Sequence, residues 1–201
     1  VHFADDENAI TNATLGYGKF CLDSMKLQKI FDKTRQYENK TYEEAASEVY
    51  QNREYMFSLY LPGILLSHFL WSHHYKQHIF FREKFVPKLI KHGGNIFYDI
   101  GVGTGFYSKE MLLVNKNMRG EGFDLSPHSL EYTRKTLKKF NLEEKYILNK
   151  RNIISEPVEV AASFITCIEV LEHLENPQEF LNSLSKMLEP GGFGLISAAL
   201  T

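Results

Sequence analysis

The chain has 201 residues, 43% of them hydrophobic and 24% charged, a composition that folds around a core and excludes a disordered polypeptide. Its 23 Lys+Arg against 25 Asp+Glu leave a formal charge of −2, which removes the electrostatic footprint of a general nucleic-acid binder. Two cysteines, Cys21 and Cys167, can build neither a disulfide framework nor a four-thiolate zinc site, and they fit a reducing, cytoplasmic compartment.

The apolar runs are short, as at Ile64–Leu66, so neither a transmembrane segment nor a cleavable signal peptide is expected. The chain opens at Val1 without an initiator Met and closes on Gly194–Thr201, which reads as a strand and its exit. An excerpt of a longer polypeptide is therefore expected. Residues 1–93 read as a helical cap or lid. Thr41-Tyr-Glu-Glu44 is a capping box and predicts a helix through about Arg53. Pro62-Gly63 is expected to break that pattern before another helix. Ile64–Tyr75 and Phe80–Ile90 carry apolar residues on more than one face, which predicts helices covered on several sides. His68, His73, His74 and His78 surround Trp71. His74 and His78 have the spacing of a zinc pair, but the glutamate of H-E-x-x-H is absent, and solvated or core histidines are the commoner use.

From Gly93-Gly94 onward, through residues 94–201, strand and helix alternate. The predicted order is a strand at Ile96–Ile100, a helix at Tyr107–Val114 and a strand at Gly122–Leu125. A helix follows to about Phe140, with Ser126 as N-cap and Pro127 in its first position. Further strands are predicted at Tyr146–Leu148 and Ser163–Ile168. Asn176-Pro177-x-Glu179 starts a helix to about Leu188. Glu189-Pro-Gly-Gly192 is expected to stop it and turn the chain into a strand at Phe193–Ser197. Lys135, Lys138 and Lys139 read as the solvated face of their helix. Repeated βα units of this kind form a doubly wound, mostly parallel α/β sheet covered on both faces.

The chemistry concentrates in Tyr98-Asp-Ile-Gly-Val-Gly-Thr-Gly105, between a strand and a helix, where open parallel sheets bind ligands. Gly101, Gly103 and Gly105 permit close main-chain approach, but Phe106 stands where a dinucleotide fingerprint needs its third glycine. Asp124 stands 19 residues beyond Gly105, at the end of the second strand, where a carboxylate can clasp a ribose diol.

These segments, with Cys167-Ile-Glu-Val-Leu-Glu-His173 and Leu188-Glu-Pro-Gly-Gly192, resemble in order and spacing the motifs of class I S-adenosylmethionine (SAM)-dependent methyltransferases. The resemblance covers about half the chain, from Ile96 to Thr201. It implies a Rossmann-like SAM-binding core after an N-terminal helical cap, with the antiparallel strand pair that finishes the family's sheet missing. It also implies that Asp99 helps hold the methionyl ammonium, directly or through water, and that Gly101–Gly105 passes under the cofactor. Asp124 would bind the ribose, Leu125 would pack on adenine, Asn152 and Ile153 would lie beside the adenine amine, and Glu169 with Val170 would close the site. Asn152 is neutral and Ile153 larger than the family usually has there. SAM carries no phosphate, and no lysine stands between Gly101 and Gly105.

Glu169-Val-Leu-Glu172-His173 is similar to a string in ubiquinone-pathway O-methyltransferases and small-RNA 2′-O-methyltransferases. Glu169, Glu172 and His173 on one side of a helical turn could hold a divalent metal; otherwise the string is a loop-helix junction, with His173 available as a base. Three ligands leave such a cation short of its coordination, so no metal is assigned.

The expected activity is transfer of a methyl group from SAM to an O, N or C atom of a small-molecule acceptor, leaving S-adenosylhomocysteine. One histidine of the aromatic segment, or Tyr60, could face that acceptor. The alternatives are a metal-dependent RNA 2′-O-methyltransferase and a non-catalytic SAM-binding module. No nucleic-acid or membrane partner is expected, and self-association into a homodimer is left open.

Overall fold

The computed structural model describes residue 3 and residues 8–35, 52–156, 158–174 and 176–198. They fall into two compact units that divide between Tyr75 and Lys76. The Thr41–Glu44 capping box lies outside the described residues.

The first unit is helical. Helix α1, Ala9–Thr34, packs on α2, Leu61–Leu70. Their backbones approach closely enough that a Cβ at Gly63 would come within 2.4 Å of the Gly16 carbonyl carbon. Pro62-Gly63 does not interrupt the helix as expected. A turn at Arg53–Tyr55, capped by the Asn52 side chain, and a wide π turn at Met56–Tyr60 run directly into α2. Proline falls in its first turn, where its missing amide costs least and the widened preceding turn relieves the clash with an upstream carbonyl. The break comes instead at Trp71, which is extended (ψ 118°) and lets Phe20 meet its indole edge-on at 5.3 Å. His68 and His74 are buried with ring centroids 5.6 Å apart, and His74 Nδ1 lies 2.6 Å from Ser67 Oγ. These two histidines are core residues. Helix α3, Ser72–Phe80, contains the division between the units.

The second unit is the α/β layer structure. After a π turn at Phe81–Phe85 and α4, Val86–His92, the chain enters a sheet of five parallel strands. The strands are β1 (Ile96–Ile100), β2 (Arg119–Asp124), β3 (Tyr146–Lys150), β4 (Ala162–Ile168) and β5 (Leu188–Ser197), in spatial order β3-β2-β1-β4-β5. Helices α5 (Phe106–Val114), α6 (Pro127–Lys139) and α7 (Pro177–Lys186) make the crossovers after β1, β2 and β4. Strands β1 and β4 are buried along nearly their whole length, as a parallel sheet covered on both faces requires. Tyr98, Ile100, Phe123, Ile165, Cys167, Phe180 and Leu184 share one apolar core.

The expected caps form. Ser126 Oγ accepts from the Ser129 amide at 3.2 Å, and Asn176 Oδ1 accepts from the Glu179 amide at 3.2 Å. Strand β5 begins earlier than Pro190-Gly191-Gly192 suggests. Leu188 already pairs with Ala162, and a register shift between Ala162 and Phe164 absorbs the irregular segment, so it acts as a bulge rather than a turn. Because β2 and β3 lie on one side of β1 while β4 and β5 lie on the other, the strand order reverses between β1 and β4. In open α/β sheets such a reversal is the place where ligands bind, beyond the carboxyl ends of the two strands.

Candidate functional site

Three loops meet at those carboxyl ends, and main chain builds the first of them. Gly101 N donates to Phe123 O at 2.7 Å, and Gly105 N donates to Val102 O at 2.8 Å, so the loop after β1 folds back onto the end of β2. Helix α6 supports it from behind. Thr133 Oγ1 donates to Gly103 O at 3.2 Å, and Thr136 Oγ1 donates to Thr104 O at 2.9 Å. Gly101, Gly103 and Gly105 all have positive φ, at 73°, 49° and 71°. At Gly101 a side chain is doubly excluded, since its Cβ would come within 2.5 Å of Val170 Cγ2 in the loop after β4.

Asp124, at the end of β2, is drawn into this loop. Its Oδ2 accepts from Gly103 N at 3.2 Å and its Oδ1 from Ser126 N at 2.8 Å. Burial raises its pKa to about 6, against the opposing pull of these amides, and the Asp99 carboxylate adds to the rise. The carboxylate is therefore ionised at neutral pH and aimed by backbone. Leu125, beside it, is half-buried.

Asp99 sits one layer below. It is almost fully buried, with Thr166 Oγ1 donating to Oδ1 at 2.8 Å and Ser108 Oγ donating to Oδ2. Ser108 Oγ also lies 2.6 Å from Tyr146 OH. Burial pushes the Asp99 pKa up to about 6, and the two hydroxyl donors hold it down from a larger rise. Ser108, Tyr146 and Thr166 were not anticipated as parts of this network. Thr166 had a readable signal, being a hydroxyl in the otherwise apolar run Phe164–Ile168 and the register partner of Asp99.

Asn152 and Ile153 follow β3. Asn152 is exposed, and its Oδ1 accepts from the Ile154 amide at 3.0 Å. The Ile153 side chain belongs to the apolar core, so only its main chain remains for a ligand.

The loop after β4 is organised by side chains. Glu169 is in the left-handed region (φ 54°), a conformation uncommon outside glycine. Its Oε1 accepts from Gln77 Nε2 at 2.5 Å and from Ser197 Oγ at 2.8 Å. Leu171–His173 forms a 3-10 turn that starts after Glu169, so Glu169, Glu172 and His173 do not share a helical face as the spacing suggested. Among the described residues no three His, Cys, Asp or Glu side chains converge as a metal site. His173 is exposed at the surface, yet the protein around its ring disfavours the cation and lowers its pKa from 6.5, while the Glu169 carboxylate opposes that shift. Among the described residues no helix is long and apolar enough to cross a membrane.

A family model described as a methyltransferase domain matches residues 98–193, which span all five strands up to the middle of β5. The chain is 28% identical over 104 residues to a ubiquinone biosynthesis O-methyltransferase of Shewanella pealeana, covering 52% of this chain and 43% of that protein. It is 29% identical over 108 residues to the corresponding protein of Cupriavidus pinatubonensis, covering 52% and 41%. The chain thus spans less than half the length of these curated relatives. Among solved structures, the N-methyltransferase NodS from Bradyrhizobium japonicum in complex with S-adenosyl-L-homocysteine superposes with a TM-score of 0.55 at 19% identity, covering 72% of this chain and 69% of that one. An O-methyltransferase segment of StiE superposes with a TM-score of 0.53 at 14% identity, covering 66% and 44%. The strand order, the glycine loop at the switch point and the acid after β2 agree with these likenesses: residues 98–193 are similar to methyltransferase domains, and the fold is shared with the NodS structure.

Proposed function

We propose that the chain binds SAM beyond the carboxyl ends of β1 and β4 and transfers its methyl group to an O, N or C atom of a small-molecule acceptor in the cytoplasm. The observation that carries this reading is the union of a glycine-rich loop with a carboxylate clasped by that loop's own amide, Gly103 N to Asp124 Oδ2. The residues fit such a ligand chemically: glycines leave room at Gly101, an ionised acid stands ready for a ribose diol, and no lysine or arginine lies between Gly101 and Gly105 to demand a phosphate.

When bound, SAM supplies a methyl group on a sulfonium, whose sulfur leaves as a neutral sulfide and needs no acid. The chain's own work is therefore positioning and exclusion of water. Gly101–Gly105 would lie under the cofactor, Asp124 would accept from the ribose hydroxyls, and Leu125 would pack on the base. The Asn152 side chain and the Ile153 main chain would edge the adenine. Asp99, ionised above about pH 6, would place negative charge below the methionyl ammonium. Glu169 would close the methionyl side. His173, neutral at pH 7 because its pKa is lowered, is suited to take a proton from an acceptor hydroxyl or amine. The formal charge of −2 and the name of the curated relatives support a small organic acceptor.

Thermal melting with S-adenosylhomocysteine tests the cofactor assignment. Ligand at 100 times its Kd should stabilise the wild-type chain by about 2.7 kcal/mol. Asp124→Ala should erase that melting shift; an Asp124→Ala chain stabilised as fully as wild type would contradict the ribose assignment.

A further inference from the structure

Glu169 keeps a side chain in a backbone conformation that favours glycine, and a ring of hydrogen bonds holds that side chain. Gln77, on α3, donates from Nε2 to Glu169 Oε1 at 2.5 Å and to Ser197 Oγ at 3.1 Å. Ser197, at the end of β5, spends its one hydroxyl proton on the same Glu169 oxygen at 2.8 Å and accepts from the Glu169 amide at 3.3 Å. The strand ladder closes the arrangement, since Glu169 N also donates to Ser197 O at 3.2 Å. Both amide protons of Gln77 and the hydroxyl proton of Ser197 are thus directed within one ring. The next residue, Val170, has its Cγ2 where a Cβ on Gly101 would come within 2.5 Å. A continuous path therefore runs from Gln77 and Ser197 through Glu169 to Val170 and the glycine loop.

We infer that Gln77 and Ser197 are positioning residues: by fixing the Glu169 carboxylate from two separate elements, they seat Val170 against the glycine loop and so hold that loop in its ligand-binding form. This rests on the reading of the ends of β1 and β4 as a SAM site. Neither residue need touch the ligand, and both act through Glu169.

Calorimetric titration of the full chain with S-adenosylhomocysteine, together with the melting temperature of each variant, tests the inference. Gln77→Ala and Ser197→Ala should each weaken binding about 5–10-fold, the effect of losing one or two hydrogen bonds, while melting within about 2 °C of wild type. Gln77→Glu, equal in size but an acceptor where Gln77 donates, should weaken binding further. In the Glu169→Gln background, Gln77→Ala should cost less than about 2-fold more, because its route of action is already cut. Losses that multiply in the double variant, or two single variants that bind like wild type, would overturn the inference. If one single variant fails to fold, the other carries the same cycle; if both fail, the ring belongs to the scaffold and the inference falls. A wild-type chain that takes up no ligand overturns the cofactor reading itself, an outcome distinct from tight wild-type binding with indifferent variants.

Discussion

Two left-handed residues stand at the carboxyl ends of neighbouring strands, Gly105 after β1 and Glu169 after β4, and they are built on opposite principles. At Gly105 (φ 71°) a Cβ would come within 2.8 Å of Thr133 Cγ2 and 3.1 Å of Thr133 Cα, so the loop exists because a side chain is missing. At Glu169 (φ 54°) the chain keeps a side chain although a non-glycine residue there costs about 1–3 kcal/mol, and the Gln77 and Ser197 hydrogen bonds offset part of that cost. The β1 side of the site is shaped by side chains that are missing, the β4 side by one that is held. Main chain can be fixed by short-range folding, whereas a side-chain clamp requires partners brought from elsewhere.

The sharpest way to break this contrast is Gly105→Ala. Left-handed strain and overpacking against α6 should together cost about 4 kcal/mol. Urea unfolding would measure it, and a loss below about 1 kcal/mol would show that α6 can retreat and that the loop is less rigid than its contacts imply.

A smaller effect comes from beneath the loop, at Asp99. In the folded chain its pKa is raised to about 6 from 3.8, because burial disfavours the anion more than the Ser108 and Thr166 hydroxyls favour it. The folded state therefore binds the proton more tightly than the unfolded state. Its stabilising contribution is complete below about pH 3.8 and is lost as pH rises through about 6, a change of roughly 3 kcal/mol. Asp99→Asn, neutral throughout, should remove that loss and leave the ligand-free chain about 2 kcal/mol more stable than wild type at pH 7. It should also bind S-adenosylhomocysteine more weakly. Unfolding curves at pH 4 and pH 7 that shift equally for both proteins would refute the burial argument.

Legibility from sequence follows the same division. The strand Ile96–Ile100, the Ser126 cap with Pro127 behind it, and the glycine loop all rest on signals within a few residues, and each forms as read. Pro190-Gly191-Gly192 misled because the pairing of Leu188 with Ala162 converts a turn signal into a bulge. Pro62-Gly63 misled because a π turn upstream accommodates the proline. The long helix Ala9–Thr34 gave no clear stripe, since apolar residues such as Leu15, Leu22 and Met25 remain exposed on it. At the site, Asp124 stood out by its place at the end of β2, whereas Asp99, inside β1, was marked only by the family resemblance. The Gln77–Glu169 contact joins residues 92 positions apart, and no local pattern encodes a partner at that distance.

The smallest effect on stability is expected at the most exposed candidate on the β4 side. His173 lies at the end of the 3-10 turn after Glu169, and an exposed residue of this kind should cost no more than about 0.5 kcal/mol when replaced by alanine. Affinity for S-adenosylhomocysteine should likewise stay within about 2-fold, since the proposed cofactor contacts lie elsewhere. Turnover should behave differently if the imidazole takes the acceptor's proton, falling about 100-fold with an acceptor found by transfer from labelled SAM. The pH dependence separates this from a packing defect. Because the protein around the ring disfavours the cation and lowers the His173 pKa from 6.5, the ring stays neutral into mildly acidic solution, so the acid limb of the wild-type rate profile should lie below pH 6.5 and vanish in His173→Ala. Equal turnover in the two proteins, or an acid limb that persists without the histidine, would return His173 to a purely structural part of the turn and leave the β4 side with the Glu169 clamp as its one chemical device.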